Sequence, residues 1–391
     1  MDPQQTFCPN PHCPARGQCG KGNLVIHSQK EQRYRCKLCG KTFSAREGTV
    51  FFRARVACDV ITLVLTLIAY GCPIAAIEAA FGFQARTVRR WLEAAGEHCQ
   101  QVHEQVVVQP QELGQVQADE LRIKAQKEKG GRGGLFWMAM ALAVPTRLWL
   151  GGEISPHRDK PLIRRLAARI HACALPGPLL LAVDGLSSYV TAFRQAFRFP
   201  LRTGLPGECK RSGRPPLVAW PGVVVGRVIK QYGAGRGGRR TVVGVVHQVA
   251  QGSARQLVRL LRATQDKGQG RGTLNTAYIE RLNATFRARL APLARRTRHL
   301  ARRAEVLRAG MYLVGTLYNL CDYHESLTLA PLVAGAPRVC RTPALAAGVT
   351  NHRWSVAEVL WHRVPPPPWR PPKRRGRRSK AELELLQRWA S

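Results

Sequence analysis

The 391-residue chain has few acidic side chains. It contains 24 aspartates and glutamates against 61 lysines and arginines, which gives a formal net charge of +37. So large an imbalance makes a folded protein repel itself and is best explained by a polyanionic partner. The basic residues recur along the whole chain instead of forming one tail. We therefore expect several parts of the protein to contact nucleic acid.

Long apolar runs are also missing. The longest, near residues 60–70 and 135–144, are far shorter than the ~20 residues that a bilayer-spanning helix requires. The N-terminus lacks the basic segment followed by an apolar one that is typical of a signal peptide. No long lysine-rich amphipathic helix is present to favour an anionic membrane surface. The sequence therefore predicts a soluble intracellular protein without a membrane partner.

Four of the twelve cysteines form two close pairs near the N-terminus. The pairs have the spacings C-x4-C and C-x2-C, and their members are Cys8, Cys13, Cys36 and Cys39. In a large intracellular chain such pairs indicate a metal site, and four thiolates suit tetrahedral Zn²⁺. Gly40 lets the backbone turn after the last cysteine. We predict a zinc ribbon over residues 1–50, with His12 and Cys19 as minor alternative ligands.

Residues 51–108 have the pattern of a helical region with a helix-turn-helix. A first helix is predicted at 74–81, a turn at Gly82 and a second helix at 85–95. In the second helix Val88, Trp91 and Leu92 can pack inward. The outward residues are Arg86, Arg89 and Arg90. A recognition helix presents its early residues to the major groove in this way. The alternative is a plain helical hairpin with solvated arginines; the neighbouring ribbon and the charge favour DNA contact.

From residue 115 the pattern changes to strands and helices in alternation. Strands are predicted at 116–123, 135–144, 148–154 and 179–184, with helices at 159–173 and 187–197 and a later helix over 275–293. This order predicts an α/β ribonuclease-H-like domain with a mixed sheet. We place it at residues 109–330, with an insertion at about 200–275 that contains a hairpin. Residues 331–391 are predicted to be a basic, proline-rich tail, so the protein is multidomain.

Three acidic residues fall where such a domain can bind metal. Asp119 lies on the first strand, Asp184 ends the short apolar strand, and Glu280 lies on the later helix. Asn283 and Arg287 follow Glu280 at spacings of three and seven, which return to nearly the same side of a helix. Two strand aspartates and a helix glutamate can hold a pair of divalent cations, as in-line phosphoryl transfer requires.

The first strand leaves two acids to choose between. Asp119 adjoins Glu120, and either could be the ligand. Asp119 shares its strand face with apolar residues. Glu120 shares the other face with Arg122 and Lys124, which predicts a surface salt partner.

Taken together, the sequence resembles the DDE-type transposases of bacterial insertion sequences, in particular the group with an N-terminal zinc ribbon like that of the first-named insertion sequence. The resemblance rests on CPNPHC…RYRCKLCGKTFSAREGTVFF, QADELRIK, RLWLGGEISPHRDKPLI, LAVDGLSSY, NTAYIERLNATFR and RTPALAAGVTNHRWSVAEVLW. It implies Asp119, Asp184 and Glu280 as the catalytic triad, with Arg287 as the basic residue two turns after the glutamate. It further implies Mg²⁺ (or Mn²⁺) and 3′-OH strand transfer. The 96 positions between Asp184 and Glu280 are more than many family members have.

The expected partner is double-stranded DNA, both the element ends and the target, contacted by Asn283 as well as by the three arginines of the second helix. Because two ends must be brought together, a homodimer or larger assembly is expected, in the bacterial cytoplasm with the nucleoid. Two other functions remain open: a DNA-binding regulator without catalysis, and a nuclease of the same fold that cuts without joining.

Overall fold

The computed structural model describes residues 2–126, 134–200, 216–234, 240–266, 272–331, 337–366 and 379–390. The chain divides into two compact units, of which the first combines Met1–Thr62 with Ala357–Ser391 and the second is Leu63–Val356. These boundaries differ from the predicted ones at 50, 108 and 330, because the helix-turn-helix region belongs to the same unit as the large sheet. The predicted loop near 200–216, the hairpin tip and the proline-rich stretch at 367–378 lie largely outside the described residues.

The first unit contains a three-stranded antiparallel sheet in the order β1-β2-β3. Its strands are β1 (Leu24–Ser28), β2 (Arg33–Cys36) and β3 (Thr42–Ser44). Tyr34 and Phe43 pack with ring centroids 5.6 Å apart, and together with Leu24 and the cysteines they form a small buried cluster. So small an apolar core provides little stability by itself.

The end of the chain completes this first unit. Helix α10 (Val356–Trp361) is followed by Arg363, whose Nε donates to the Glu47 carbonyl at 2.8 Å and whose guanidinium lies 4.5 Å from the Phe7 ring centroid. Trp361 packs on Phe51 with centroids 4.6 Å apart. The short helix α9 (Pro343–Ala346) precedes α10, in the second unit.

The predicted basic, proline-rich tail began at residue 331, and the structure forms α9 and α10 within residues 337–366 of it. Prolines and arginines after residue 363 dominate the composition of the predicted tail. The apolar residues before them, such as Val359 and Leu360, are buried. The final helix of the chain is α11 (Lys380–Ala390).

The helical region consists of α1 (Cys58–Ala69), α2 (Ile74–Phe81) and α3 (Ala85–Val106). Gly82 ends α2 in the left-handed conformation, at φ +71°, and its N–H donates to the Glu78 carbonyl. Helix α3 continues well beyond the predicted end at residue 95. The reason is its contact with α8 (Ala304–Leu320) in the same unit: a Cβ on Gly96 would lie 2.2 Å from Ala309 Cα.

The second unit is built on a six-stranded mixed sheet in the order β11-β10-β7-β4-β5-β6. Its strands are β4 (Gln115–Lys124), β5 (Leu135–Ala143), β6 (Trp149–Ser155), β7 (Leu179–Val183), β10 (Val223–Ala234) and β11 (Arg240–Gln251). Strands β4, β7 and β10 are parallel, and the other pairs are antiparallel. The predicted hairpin is β10–β11. A separate two-stranded ladder joins β8 (Arg198–Pro200) to β9 (Leu217–Ala219).

Helices cover both faces of β4. The remaining helices of this unit are α4 (Lys160–Cys173), α5 (Ser187–Ala196), α6 (Ala254–Asp266) and α7 (Ala277–Arg289). Asn283 of α7 contacts Asp119, whereas the next residue, Glu120, contacts Arg158 just before α4. Consecutive strand residues point to opposite faces, so α7 and the α4–α5 layer lie on opposite sides of the strand.

Helix α7 stops earlier than predicted. Leu290 is extended after it, and a 3-10 turn at Ala291–Leu293 contains Pro292. Arg295 and Arg296 follow this turn. In the part of the chain that the structure describes, no helix is both long and apolar enough to cross a membrane.

Candidate metal centres and catalytic site

Acidic side chains converge where strand β7 ends beside the middle of the adjacent parallel strand β4. Ala118 pairs with Val183, so Asp119 and Asp184 come next at the same level of the sheet. The Leu186 N–H donates to Asp184 Oδ1 at 2.9 Å and fixes this carboxylate at the start of α5. One carboxylate oxygen each from Asp119, Glu120 and Asp184 lie within 4.8 Å of one another. The structure thus brings together the two predicted strand aspartates, with Glu120 beside them.

Glu120 is not the surface residue that the alternating pattern predicted. Its side chain has 0% exposure, and its Oε2 accepts from Arg158 Nη2 at 2.9 Å. Burial and the Asp184 carboxylate raise the pKa of Glu120, and Arg158 opposes them. The surface prediction was wrong because β4 lies between β5 and β7 and is covered on both faces, as central strands usually are in such sheets.

Asp119 is held from both sides. Its Oδ2 accepts from Asn283 Nδ2 at 2.8 Å, and its Oδ1 accepts from the Glu120 N–H at 2.9 Å. Burial raises the pKa of Asp119 to about 7, and the neighbouring Glu120 and Asp184 carboxylates act in the same direction. The metal-free site therefore retains a proton on Asp119 in part of the molecules near neutral pH.

Glu280 lies beside this cluster but outside it. Its carboxylate accepts from Lys230 Nζ at 2.7 Å and from Thr276 Oγ1 at 3.0 Å. Burial alone would raise the pKa of Glu280, but these two hydrogen bonds lower it. Arg287, one turn after Asn283 on α7, is partly buried and close enough to Asp119 to interact electrostatically. The predicted third carboxylate is thus near the site, yet paired with a lysine of β10.

Gln117 positions α7 over the site, a role that the sequence did not predict. Its Oε1 accepts from the N–H groups of Tyr278 and Ile279, both at 2.9 Å, and its Nε2 donates to the Asn275 carbonyl at 2.7 Å. The side chain is fully buried. One signal was available: Gln117 is a polar residue two positions before Asp119, on the same face of an apolar strand.

The donor set of this acidic site fits a hard divalent cation. Carboxylate and amide oxygens are the ligands that Mg²⁺ and Mn²⁺ prefer. Glu120 Oε1 and Asn283 Oδ1 are buried and have no hydrogen-bond partner among the described residues. Unsatisfied buried acceptors of this kind are costly unless a cation or water completes them.

The four predicted zinc ligands also come together. All four sulfurs lie within 4.8 Å of one another, with Cys8 to Cys39 and Cys13 to Cys36 separated by 3.7 Å. Tetrahedral Zn–S bonds of ~2.3 Å place sulfurs ~3.8 Å apart, so the cluster has the dimensions of a zinc site. Gly40 has φ +69°, and its N–H donates to the Cys36 carbonyl, as expected for a turn around a metal.

Without metal these thiols differ in their tendency to ionise. Burial raises the pKa of Cys8 and raises that of Cys13 to about 12. Burial would raise the pKa of Cys39 too, but hydrogen bonds from the Asn10 side chain and the Lys41 backbone lower it to about 7. The Cys39 thiol therefore ionises more readily than those of Cys8 and Cys13, and the thiolate is the form that binds metal.

The helix-turn-helix residues lie as predicted with respect to burial. Val88 and Leu92 are buried, and Trp91 packs edge-on against Phe83 with centroids 5.0 Å apart. The three outward arginines, Arg86, Arg89 and Arg90, are exposed.

Comparisons with known proteins found no match, either among protein-family models or among curated proteins.

The raised pKa of Asp119 predicts that its carboxylate opposes folding at alkaline pH. A group whose pKa is raised by folding, here from 3.8 to about 7, favours the folded state below the lower value and loses this contribution as pH rises through the higher one. Metal-free Asp119→Asn should therefore be more stable than the wild type at pH 8, by about 1–3 kcal/mol. The difference should shrink toward pH 5, as measured by urea unfolding of the zinc-loaded protein in buffer without added Mg²⁺ or Mn²⁺. The exposed Asp266 provides a control as Asp266→Asn; a difference for Asp119→Asn that stays constant with pH contradicts the assignment.

Proposed function

We propose that the protein is a DDE-type DNA transposase that cuts the ends of its element and joins the resulting 3′-OH to target DNA. The observation that carries this proposal is the position of Asp119, in the middle of β4, beside Asp184, which follows the adjacent parallel strand β7 at matched register. Acids with little structural reason to be neighbours are placed within metal-binding distance of one another. The resemblance of the sequence motifs to those of transposases is the reason for proposing this family. The net charge of +37 supports DNA as the partner.

The sheet supports a ribonuclease-H-like second unit. Three consecutive antiparallel strands, β4 to β6, are followed by a helix and by β7, which is parallel to β4. β10 extends the sheet on the far side of β7 as its fifth strand, and β11 adds an antiparallel edge. Helix α7, with Glu280 and Asn283, comes after both. The order of elements is the one expected for this fold.

In this proposal the protein's residues bind the divalent cation and orient the carboxylates and the DNA phosphate around it. Asp119 and Asp184 hold the divalent cation, with Glu120 or Glu280 as the third carboxylate. When bound, Mg²⁺ supplies activation of a water or 3′-OH nucleophile and stabilisation of the leaving oxygen. Asn283 orients the Asp119 carboxylate through the 2.8 Å hydrogen bond. Arg287 provides positive charge for a DNA phosphate on the same helix face.

The ribbon and α3 provide DNA affinity that does not depend on the acidic site. We expect Arg89→Ala with Arg90→Ala to weaken binding to element ends roughly tenfold or more, and to reduce the slope of log K against log salt by ~1 for each phosphate that is no longer neutralised. The measurement is fluorescence anisotropy at several salt concentrations. Arg259→Ala with Arg262→Ala removes the same charge from exposed positions of α6. Equally weakened binding in the two double variants would mean that net charge, not α3, determines affinity.

The test of function uses the full-length protein, Mg²⁺ and labelled duplexes that carry the ends of the element encoding the chain. The proposal expects nicks that leave a 3′-OH at the element end, followed by a covalently joined product with target DNA. Binding without cleavage would support the regulator instead. Cleavage without joining would support a nuclease of the same fold.

A further inference from the structure

Arg158 lies between the acids of the two strands. Its Nη2 donates to Glu120 Oε2 at 2.9 Å and to Asp184 Oδ2 at 3.2 Å. The residue comes just before α4, and its guanidinium carbon lies 5.2 Å from the ring centroid of Trp137 on β5. A single nitrogen therefore bridges a carboxylate of β4 and one that follows β7. A divalent cation held by Glu120 and Asp184 would therefore compete with this nitrogen for the same carboxylates.

One guanidinium does not balance the charge of this cluster. Arg158 forms ion pairs with Glu120 and Asp184, whereas the neighbouring Asp119 forms no ion pair among the described residues. Glu120 Oε1 is buried without a hydrogen-bond partner of ordinary length among the described residues, and the Tyr189 hydroxyl is close enough to lower the pKa of Glu120. These carboxylates can therefore bind a cation of higher charge than the single guanidinium of Arg158.

The two partners of the ion pair differ in their freedom to leave it. The Glu120 side chain has 0% exposure, whereas that of Arg158 has 35%. A buried carboxylate without a cation is strongly unfavourable, but a guanidinium at the surface can turn to water at little cost. Any exchange of cations at this site therefore moves Arg158 and leaves Glu120 in place.

We propose that Arg158 is the resident cation of the metal-free site, and that a divalent ion displaces it from Glu120 and Asp184. The inference rests on the proposed function, because it concerns the metal site of that activity. Arg158 keeps the clustered acids tolerable without metal, and its charge lowers the affinity for the metal by competition and by Coulomb repulsion. It is a positioning residue for the carboxylates and sets the concentration at which the site loads.

The test is a Mn²⁺ titration of the full-length, zinc-loaded protein without DNA. Binding is monitored by the relaxation rate of water protons. Arg158→Gln should bind Mn²⁺ roughly ten- to a hundredfold more tightly than the wild type, because a competing charge a few ångströms from the metal is gone. Arg164→Gln removes the same charge from an exposed position on α4 and should leave the affinity unchanged. If Arg158→Gln binds Mn²⁺ no more tightly than Arg164→Gln does, the proposal is overturned.

A second variant keeps the test independent of how well Arg158→Gln folds. Lysine retains the charge but lacks the fork-shaped guanidinium and its reach. Arg158→Lys should therefore tighten Mn²⁺ binding by a smaller factor than the Gln variant, yet more than Arg164→Gln. If Arg158→Lys binds Mn²⁺ no more tightly than the wild type, the proposal is contradicted.

Asp184→Asn separates this inference from the proposed function. If the wild type and Asp184→Asn bind Mn²⁺ equally, the metal site itself is misplaced and the proposed function fails with it. If Asp184→Asn loses the binding while neither Arg158 variant tightens it, the metal site stands and only the exchange is refuted.

Discussion

Asp184→Asn is expected to lower Mg²⁺-dependent cleavage of element ends by roughly a thousandfold or more, because it removes a carboxylate that positions the cation and steadies the leaving oxygen. The fold should survive, since the asparagine oxygen can still accept from the Leu186 N–H, as Asp184 Oδ1 does at 2.9 Å. DNA affinity should also survive, because in our proposal the ribbon and α3 provide it. Single-turnover cleavage on a denaturing gel, with anisotropy for binding, measures both.

Asp159→Asn is the matched control for this change. Asp159 caps α4 by accepting from the Leu162 N–H at 3.0 Å, and asparagine is an equally good capping residue. The variant makes the same chemical substitution next to Arg158 and should cleave normally. Near-normal cleavage by Asp184→Asn would show that the metal site has been assigned to the wrong residues.

Glu120→Gln and Glu280→Gln decide which acid is the third ligand. Loss of cleavage in Glu280→Gln alone supports the predicted triad and requires Lys230, 2.7 Å from Glu280, to release it in the active complex. Loss in Glu120→Gln alone supports the cluster that the structure brings together. If Glu120→Gln abolishes cleavage while Asp119→Asn does not, the first strand was read one residue out of register.

Loss of zinc is expected to unfold the first unit. Cys36 Sγ lies 3.7 Å from Cys13 Sγ and accepts from Asn23 Nδ2 at 3.4 Å, so Cys36→Ser removes a ligand from a fully formed cluster. Structural zinc contributes an apparent ~10–16 kcal/mol in small zinc domains, more than the apolar core of this unit can replace. Elemental analysis should give one zinc per chain in the wild type and none in the variant, with amide resonances of the unit collapsing to random-coil positions.

Cys19→Ser is the control, because Cys19 is an exposed cysteine of the same unit that lies outside the cluster. It should keep both zinc and fold. The second unit should remain folded in either variant, whereas residues 357–366 should lose their order together with the ribbon, since Arg363 and Trp361 pack within it. A folded ribbon in zinc-free Cys36→Ser would contradict the zinc assignment.

Features that depend on neighbouring residues in the chain were predictable from the sequence. The short apolar run ending in Asp184 gave a buried strand with an acid at its end, and the cysteine spacings gave a cluster of four thiols. The runs around residues 217–249 gave a hairpin. In each case the pattern over a few residues determines the local structure, and the sheet then places it.

Features that depend on distant segments were not predictable. Glu120 is buried because helices far along the chain cover both faces of β4, and no strand pattern reveals how many faces are covered. Its partner Arg158 lies 38 positions away, and the pair of Lys230 with Glu280 spans 50. A single sequence has many arginines and lysines that could meet each acid, so only the fold selects among them.

The most direct measurement is the anomalous diffraction of Mn²⁺ in crystals of the full-length protein. We expect a manganese ion bound by Asp119 and Asp184, at distances close to the ~2.1 Å typical of small divalent cations, with Arg158 moved away from Asp184. The same map identifies the third carboxylate as Glu120 or Glu280. Manganese at saturating concentration that binds elsewhere, while Arg158 stays hydrogen-bonded to Glu120 and Asp184, would contradict the assignment of this site to metal-dependent strand cleavage.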